Sequence, residues 1–183
     1  MKEQKKVLHC QGKLLEKKEQ SVNMNIEIDF PEKILRKIEE ISKNEDTLPE
    51  EIVNEAMIEF LKIADPETKA ELLENLCKKF LNDAEEFVKR GDYLQASEKA
   101  WGAASQMLKA EAARRGVDLR GHSALHRFVI TIASERGDEE IRRLWQSAGM
   151  LHQNFYENWL PKEMVAENIK DVKDFIKRLK EGR

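Results

Sequence analysis

The chain has 183 residues, of which 40% are hydrophobic and 37% charged, and it contains only 8 glycines and 4 prolines. This composition is typical of a soluble, mostly helical protein. The net charge of −3 lacks the basic footprint that nucleic-acid-binding proteins usually carry.

Membrane and secretory segments are not expected from the sequence. No apolar run approaches the roughly 20 residues of a membrane span, and the polar N-terminus lacks the core of a signal peptide. We therefore expect a cytoplasmic protein with no membrane partner. The two cysteines, Cys10 and Cys77, do not have the spacing of metal ligands, and the sequence predicts neither a bound metal nor another cofactor.

Residues 1–21 are predicted to be a flexible basic arm. Six lysines and three acidic residues fall within residues 1–20, with little hydrophobic periodicity. An arm that becomes ordered on a partner is the alternative.

Residues 22–64 are predicted to form a small unit of one strand and two helices. The segment 24–30 alternates, with Ile26, Ile28 and Phe30 on one face. Pro31 begins a helix, Thr47 and Glu50 have the spacing of a capping box, and Pro49 begins a second helix. About 40 residues cannot bury a core alone, so the strand is expected to pair with a second copy.

This order of elements resembles a ribbon-helix-helix unit of the Arc/MetJ type over residues 24–62. The resemblance implies a dimer whose paired strands enter the DNA major groove through Asn25, Glu27 and Asp29. Two copies would present the carboxylates of Glu27 and Asp29 to a polyanion, with no basic neighbours to offset the repulsion. We therefore interpret the unit primarily as a dimerisation module, and DNA as a less favoured partner.

Residues 65–183 are predicted to form five helices. Asp65 and Pro66 begin the first, Gly91 ends it, Asp92 caps the second, and Gly116 ends the second. His122 or Ser123 is expected to cap the third helix, which stops at Gly137. Asp138 caps the fourth, and the fifth follows Pro161 over residues 163–181. Because the links are short, neighbours are predicted to be antiparallel. The predicted fold class is mainly α: the ribbon-helix-helix-like unit followed by a five-helix up-down antiparallel bundle.

The segments GDYLQASEKAWGAASQMLKA and AGMLHQNFYENWL resemble the HEPN superfamily, and within it the archaeal PaREP-type branch, over roughly residues 68–180. This resemblance implies a helical bundle that commonly dimerises. Many HEPN domains are ribonucleases of toxin–antitoxin and defence systems, whereas others bind RNA or nucleotides without cleaving them.

The HEPN resemblance also implies catalytic residues. The motif places an arginine a few residues before a histidine, the arginine stabilising the phosphorane and the histidine acting as acid or base. His152 matches the histidine, but Trp145, Gln146 and Ser147 occupy the arginine positions. On an ideal helix, Arg143 would lie about 13 Å from His152 along the axis and on the opposite side of the helix. Asn154 and Tyr156 are the polar neighbours of His152 in the candidate site.

Two other groups of residues are candidates for binding. His122 and His126 have the spacing of two ligands on one helical face, but no third ligand is evident, and we interpret them as a capping or surface pair. Arg114, Arg115 and Arg142 lie near the middle links of the bundle and form the one plausible polyanion patch. A charge-balanced solvated surface is the alternative.

Three functions follow from these patterns. The first is a non-enzymatic, HEPN-like homodimer or higher oligomer that binds RNA, a nucleotide or a partner protein, in a toxin–antitoxin or defence setting. The second is a metal-independent HEPN ribonuclease that uses His152. The third is a ribbon-helix-helix transcriptional regulator. The sequence leans towards a protein that is not an enzyme.

Overall fold

The computed structural model describes residues 29–182, and the regular structure in this range is helical. The helices are α1 Glu32–Glu45, α2 Pro49–Phe60, α3 Pro66–Arg90, α4 Tyr93–Arg114, α5 Gly121–Arg136, α6 Glu140–Glu157 and α7 Lys162–Glu181. None of these helices is long and apolar enough to cross a membrane. The prediction of a mainly α-helical bundle is confirmed.

Two compact units divide the chain, Met1–Pro31 and Glu32–Arg183. The basic arm over residues 1–21, Asn25, Glu27 and most of the alternating segment lie outside the described residues. Asp29 and Phe30 are described and have no regular secondary structure. The ribbon-helix-helix unit and the domain boundary after residue 64 therefore stay predictions.

Helix α4 is the centre of the bundle. It packs against α3, α5, α6 and α7, and its alanines Ala96, Ala100, Ala103 and Ala104 have no exposed surface. Short side chains let neighbouring helices approach closely, and the interior of such a bundle packs at crystal-like density. The small-residue sequence of α4 therefore explains how one helix contacts four others.

The ends of α3 and α4 follow the predicted capping chemistry. The Asp65 side chain accepts a hydrogen bond from the backbone N–H of Thr68 at 2.7 Å, and Asp92 accepts one from Gln95 at 3.1 Å. Gly91 ends α3 with a left-handed φ of 77°, which glycine adopts at little steric cost. These local signals fix the start of α3 and the turn between α3 and α4.

Three predicted caps differ in detail. Leu48, not Thr47, is the N-cap of α2, and no side chain caps that end, because Leu48 is drawn into the core at 3% exposure. Arg120 precedes α5, so His122 lies inside the first turn. Glu139 is the N-cap of α6, although Asp138 still accepts a hydrogen bond from the Glu140 backbone.

The direction of α5 is not the one that short links predict. Contacts between opposite ends make α3 and α4 antiparallel, and likewise α6 and α7: Arg114 pairs with Glu67, and Arg178 with Asp138. Helices α4 and α5 instead run in the same direction: Trp101 in the first half of α4 contacts His122 in the first turn of α5, and Glu111 near the end of α4 pairs with Arg136 at the end of α5. The link after α4 runs back along the bundle before α5 begins.

Helix α2 is docked on the bundle at its N-terminal half. Glu51 is buried and its carboxylate lies 2.9 Å from the Lys109 ammonium, while Glu50 lies 2.8 Å from Lys99. Leu48 packs over α4 at Gly102. Helix α1 has no buried residue. The two N-terminal helices are therefore attached to the bundle through the start of α2.

The contact at Gly102 generates a stability prediction. A methyl group there would clash with Leu48 Cδ1 and lie 3.0 Å from Phe80 Cδ2, whereas Gly149 in α6 has open space. We expect Gly102→Ala to lower the free energy of unfolding by about 1–3 kcal/mol through overpacking. Gly149→Ala, the matched control, should raise it by up to about 1 kcal/mol. Urea denaturation measures both, and equal stabilisation by the two variants would contradict this packing.

Candidate functional site

A cluster of polar and aromatic side chains lies where α4, α5 and α6 meet the link between α1 and α2. We call Asp46, His122, His152 and Tyr156 the His–Asp cluster. Asp46 comes from the α1–α2 link, His122 from the first turn of α5, and the other two from α6. The contacts therefore join residues that are far apart in sequence.

Backbone conformation places Asp46 in the cluster. Asp46 has a left-handed φ of 52°, a region that aspartate adopts more readily than most residues with a Cβ. It directly follows α1 and precedes Leu48, which is buried against the bundle. The docking of α2 thus carries the Asp46 carboxylate to the histidines.

One oxygen of Asp46 faces both imidazoles. Asp46 Oδ2 lies 3.4 Å from His122 Nδ1 and 3.3 Å from His152 Nε2. The second oxygen, Oδ1, accepts a hydrogen bond from the Tyr156 hydroxyl. His152 has a side chain that is 20% exposed, and that of Asp46 is 40% exposed. The cluster is therefore half-buried and open to solvent on the Asp46 side.

Aromatic contacts fix the rings. The Trp101 ring stacks on His152 at a centroid distance of 4.6 Å and an interplanar angle of 25°. It also meets His122 edge-on at 5.4 Å. The two imidazoles have centroids 4.7 Å apart. Side chains held by such contacts lose little further freedom when they bind a ligand.

His126 lies outside the cluster. Its Nδ1 accepts a hydrogen bond from the Trp145 indole N–H at 2.8 Å. Partial desolvation and the nearby His122 lower the pKa of His126. The sequence paired His122 with His126 by spacing, whereas the structure pairs His122 with His152 and Asp46.

Burial dominates the protonation of the cluster. It lowers the pKa of His152, although Asp46 acts in the opposite direction. The pKa of Tyr156 is raised by burial and by its hydrogen bond to the Asp46 carboxylate. Burial also raises the pKa of Glu98 on α4, and the charges of Glu50 and Asp46 add to this effect. The cluster thus combines the Asp46 carboxylate with an imidazole at His152 whose neutral form is favoured by burial.

Only part of the sequence-based catalytic set comes together. His152 and Tyr156 both contact Asp46. Arg143 instead pairs with Glu140 at 2.6 Å and Asp171 at 3.2 Å, and α6 is continuous through Gly149. Arg143 therefore does not approach His152, as the helical geometry indicated.

Asn154 has a structural role at the end of α6. Its amide donates to Ser97 Oγ at 2.9 Å, and its carbonyl oxygen accepts the backbone N–H groups of Trp159 and Leu160. The side chain is buried and fully engaged in joining α6 to α4 and to the following turn. It does not face the His–Asp cluster.

The predicted polyanion patch is neutralised by acidic residues. Arg114 pairs with Glu67 and Glu74. Arg115 pairs with Glu111 and Glu135. Arg142 pairs with Glu139 within α6. Of the proposed base-reading residues, Asp29 is exposed and the other two lie outside the described part of the chain.

A groove of about 820 Å³ lies between α2, α3 and the α4–α5 link, and its lining includes Glu45 and Gly121, the chain neighbours of Asp46 and His122, but none of the four cluster residues. Its lining mixes acidic Glu55 and Asp118 with basic Lys69 and Lys109. This lining favours no single class of ligand charge.

The chain was compared with known proteins. A family model described as the archaeal PaREP1/PaREP8 family matches residues 72–176. The chain belongs to this family. This PaREP1/PaREP8 chain is also similar to a protein from Sulfolobus solfataricus, whose crystal structure gives a TM-score of 0.51 at 28% sequence identity. That similarity covers 58% of this chain and 95% of the other. The comparison with curated proteins finds no significant match.

The PaREP1/PaREP8 match contains His122, His152 and Tyr156 but not Asp46, which precedes residue 72. Asp46 is also the residue that sequence reasoning missed. It ends an amphipathic helix in a polar break, so its pattern was that of a helix stop. What distinguishes Asp46 is its left-handed backbone and its position beside the buried Leu48. Both are properties of the folded chain and are not visible in the sequence alone.

The cluster generates a prediction about histidine protonation. In metal-free protein, His152 should titrate below the usual histidine pKa of about 6.5, and Asp46→Asn should lower its pKa further because a charge that favours the imidazolium is removed. Histidine ring signals followed by NMR measure this. His126 is the internal control, since burial and His122 set its shift. An increase in the His152 pKa in Asp46→Asn would contradict the geometry.

Proposed function

We propose that this PaREP1/PaREP8-family protein is a homodimeric, HEPN-like binding module that does not cleave RNA by the HEPN arginine–histidine mechanism. The HEPN affiliation is supported by the motifs around Trp101 and His152, which fall inside the segment matched by the family model. The bundle carries those motifs on α4 and α6, and Trp101 stacks on His152.

The proposal rests on one observation: the Asp46 carboxylate lies beside His152, where HEPN-type cleavage needs a positively charged group. HEPN-type cleavage requires a positive group beside the histidine to stabilise the charge that develops on the phosphate. Asp46 Oδ2 lies 3.3 Å from His152 Nε2. In the described part of the chain, no ion pair or hydrogen bond brings a lysine or arginine to His152.

The negative charge of Asp46 disfavours the binding of a phosphate group beside His152. Two negative unit charges 4 Å apart repel by about 4 kcal/mol at an effective dielectric constant of about 20. A phosphodiester at His152 would therefore be destabilised, where a ribonuclease must stabilise it.

The surface of α1 and α2 supports a protein partner, and specifically a second copy. Phe60 is 85% exposed and Leu35 is 46% exposed. A helix of 14 residues that buries none of them, as α1 does, gains little stability by itself. The strand predicted from the sequence over residues 24–30 would also need a second strand, and the described residues contain none. A second copy of the chain would cover the exposed apolar side chains of α1 and α2 and would provide the pairing strand.

A second candidate function is favoured by the pair of imidazoles. His122 and His152 have ring centroids 4.7 Å apart, and histidine is the side chain that most often acts as general acid or base. This arrangement would make the protein a metal-independent ribonuclease that uses two histidines and no arginine. The carboxylate between them is the reason that we rank this candidate second.

RNA cleavage separates the two candidates. We expect total RNA and tRNA to remain intact after incubation with metal-free protein, with His152→Ala, and with the matched control His126→Ala. Electrophoresis of the RNA measures this. Cleavage by wild type and by His126→Ala that disappears in His152→Ala would overturn the non-cleaving proposal and favour the second candidate.

The oligomeric state tests the proposed dimer. We expect wild type to sediment as a dimer, and Leu35→Lys and Phe60→Lys to shift it towards monomer because each places a charge in the apolar interface. Both side chains are exposed in the single chain, so neither change should unfold it.

The matched control for the dimer is Ile130→Lys on α5, whose side chain is 55% exposed. It should leave the sedimentation coefficient unchanged. A wild-type monomer, or an equal loss of dimer in all three variants, would contradict the proposed interface.

A further inference from the structure

We propose that Asp46, His122 and His152 bind one divalent transition-metal ion, with zinc as the best-matched metal. Two imidazole nitrogens and one carboxylate oxygen form a ligand set that zinc accepts in proteins. The three ligand atoms all lie within 4.8 Å of one another. This inference does not depend on the proposed dimer or on the absence of RNA cleavage.

The distances match a tetrahedral site. With bonds of about 2.0–2.1 Å to zinc, two ligand atoms at the tetrahedral angle lie about 3.4 Å apart. Asp46 Oδ2 lies 3.4 Å from His122 Nδ1 and 3.3 Å from His152 Nε2. Two edges of the tetrahedron are therefore already formed. Closing the third requires the imidazoles to approach by at most about 1.4 Å.

A hydrogen-bonded arrangement without metal explains these distances less well. A neutral imidazole N–H that donates to an oxygen does so at about 2.7–3.2 Å. Here two imidazole nitrogens face the same oxygen, and both separations exceed that range. Both rings would also need a proton on the facing nitrogen. One metal ion satisfies the oxygen and both nitrogens at once.

The surrounding residues hold the ligands in place. The Tyr156 hydroxyl donates to the Asp46 oxygen that does not face the histidines, an outer contact that orients a ligating carboxylate. Stacking on Trp101 fixes the plane of His152. These contacts pre-organise the site.

Binding would tie together segments that are distant in sequence. Asp46 belongs to the α1–α2 link, while the histidines belong to α5 and α6. Three protein ligands leave a fourth tetrahedral position for water or for a group from a bound partner. The metal would therefore stabilise the docking of the N-terminal helices on the bundle.

The experiment is a zinc titration of full-length, chelator-stripped protein that carries no histidine tag, in competition with a chromophoric chelator. We expect one high-affinity zinc equivalent per chain. Asp46→Ala, His122→Ala and His152→Ala should each lower the affinity at least tenfold. Cobalt substitution should give the visible absorption of a tetrahedral site in wild type and not in these variants.

Two controls make the outcome decisive. His126→Ala removes a histidine four positions from His122 but outside the site, and it should bind zinc as wild type does. A variant lacking His9 and Cys10 tests for ligands in the N-terminal arm, and it should also bind normally. Circular dichroism checks that each variant is folded. Failure of wild type to bind zinc, or binding unchanged in folded Asp46→Ala, would overturn the proposal.

Discussion

The buried ion pair between Glu51 and Lys109 is the contact on which the candidate site depends. The two groups lie 2.9 Å apart, and their side chains are 7% and 17% exposed. Burial would lower the pKa of Lys109, but Glu51 and Glu55 hold it above its usual value. An unpaired buried charge costs several kcal/mol. This pair therefore helps to hold the start of α2 on α4, together with Glu50–Lys99 and Leu48, and Asp46 lies in the link that directly precedes this docked segment.

The small residues of α4 make the docking of α2 on this helix possible. Its alanines and Gly102 leave room for Leu48, and hence for the α1–α2 link, to approach the bundle. Trp101 has the largest side chain of α4, and it packs against both cluster histidines. The reversal of the α4–α5 link brings His122 to the level of Trp101. A strictly up-and-down bundle would have placed His122 at the opposite end of α4.

Local patterns predicted the helices well, because caps such as Asp65, Gly91 and Asp92 act within a few residues of the chain. The site was predicted only in part. Helical periodicity indicated that Arg143 points away from His152, which its pairing with Asp171 matches. The partnership of Asp46 with His122 and His152 depends on tertiary docking and on a crossing link, and no local signal encodes either. Asp46 also precedes the segment that the PaREP1/PaREP8 model matches.

A double-mutant cycle between Glu51 and Lys109 tests this account most directly. Urea denaturation of Glu51→Gln, Lys109→Met and the double variant gives the coupling energy between the two side chains. Because the pair is buried, we expect a coupling of about 1–3 kcal/mol and a large cost for either single change. A coupling near zero would contradict the claim that the Glu51–Lys109 pair holds α2 on α4 and, through it, Asp46 beside the histidines.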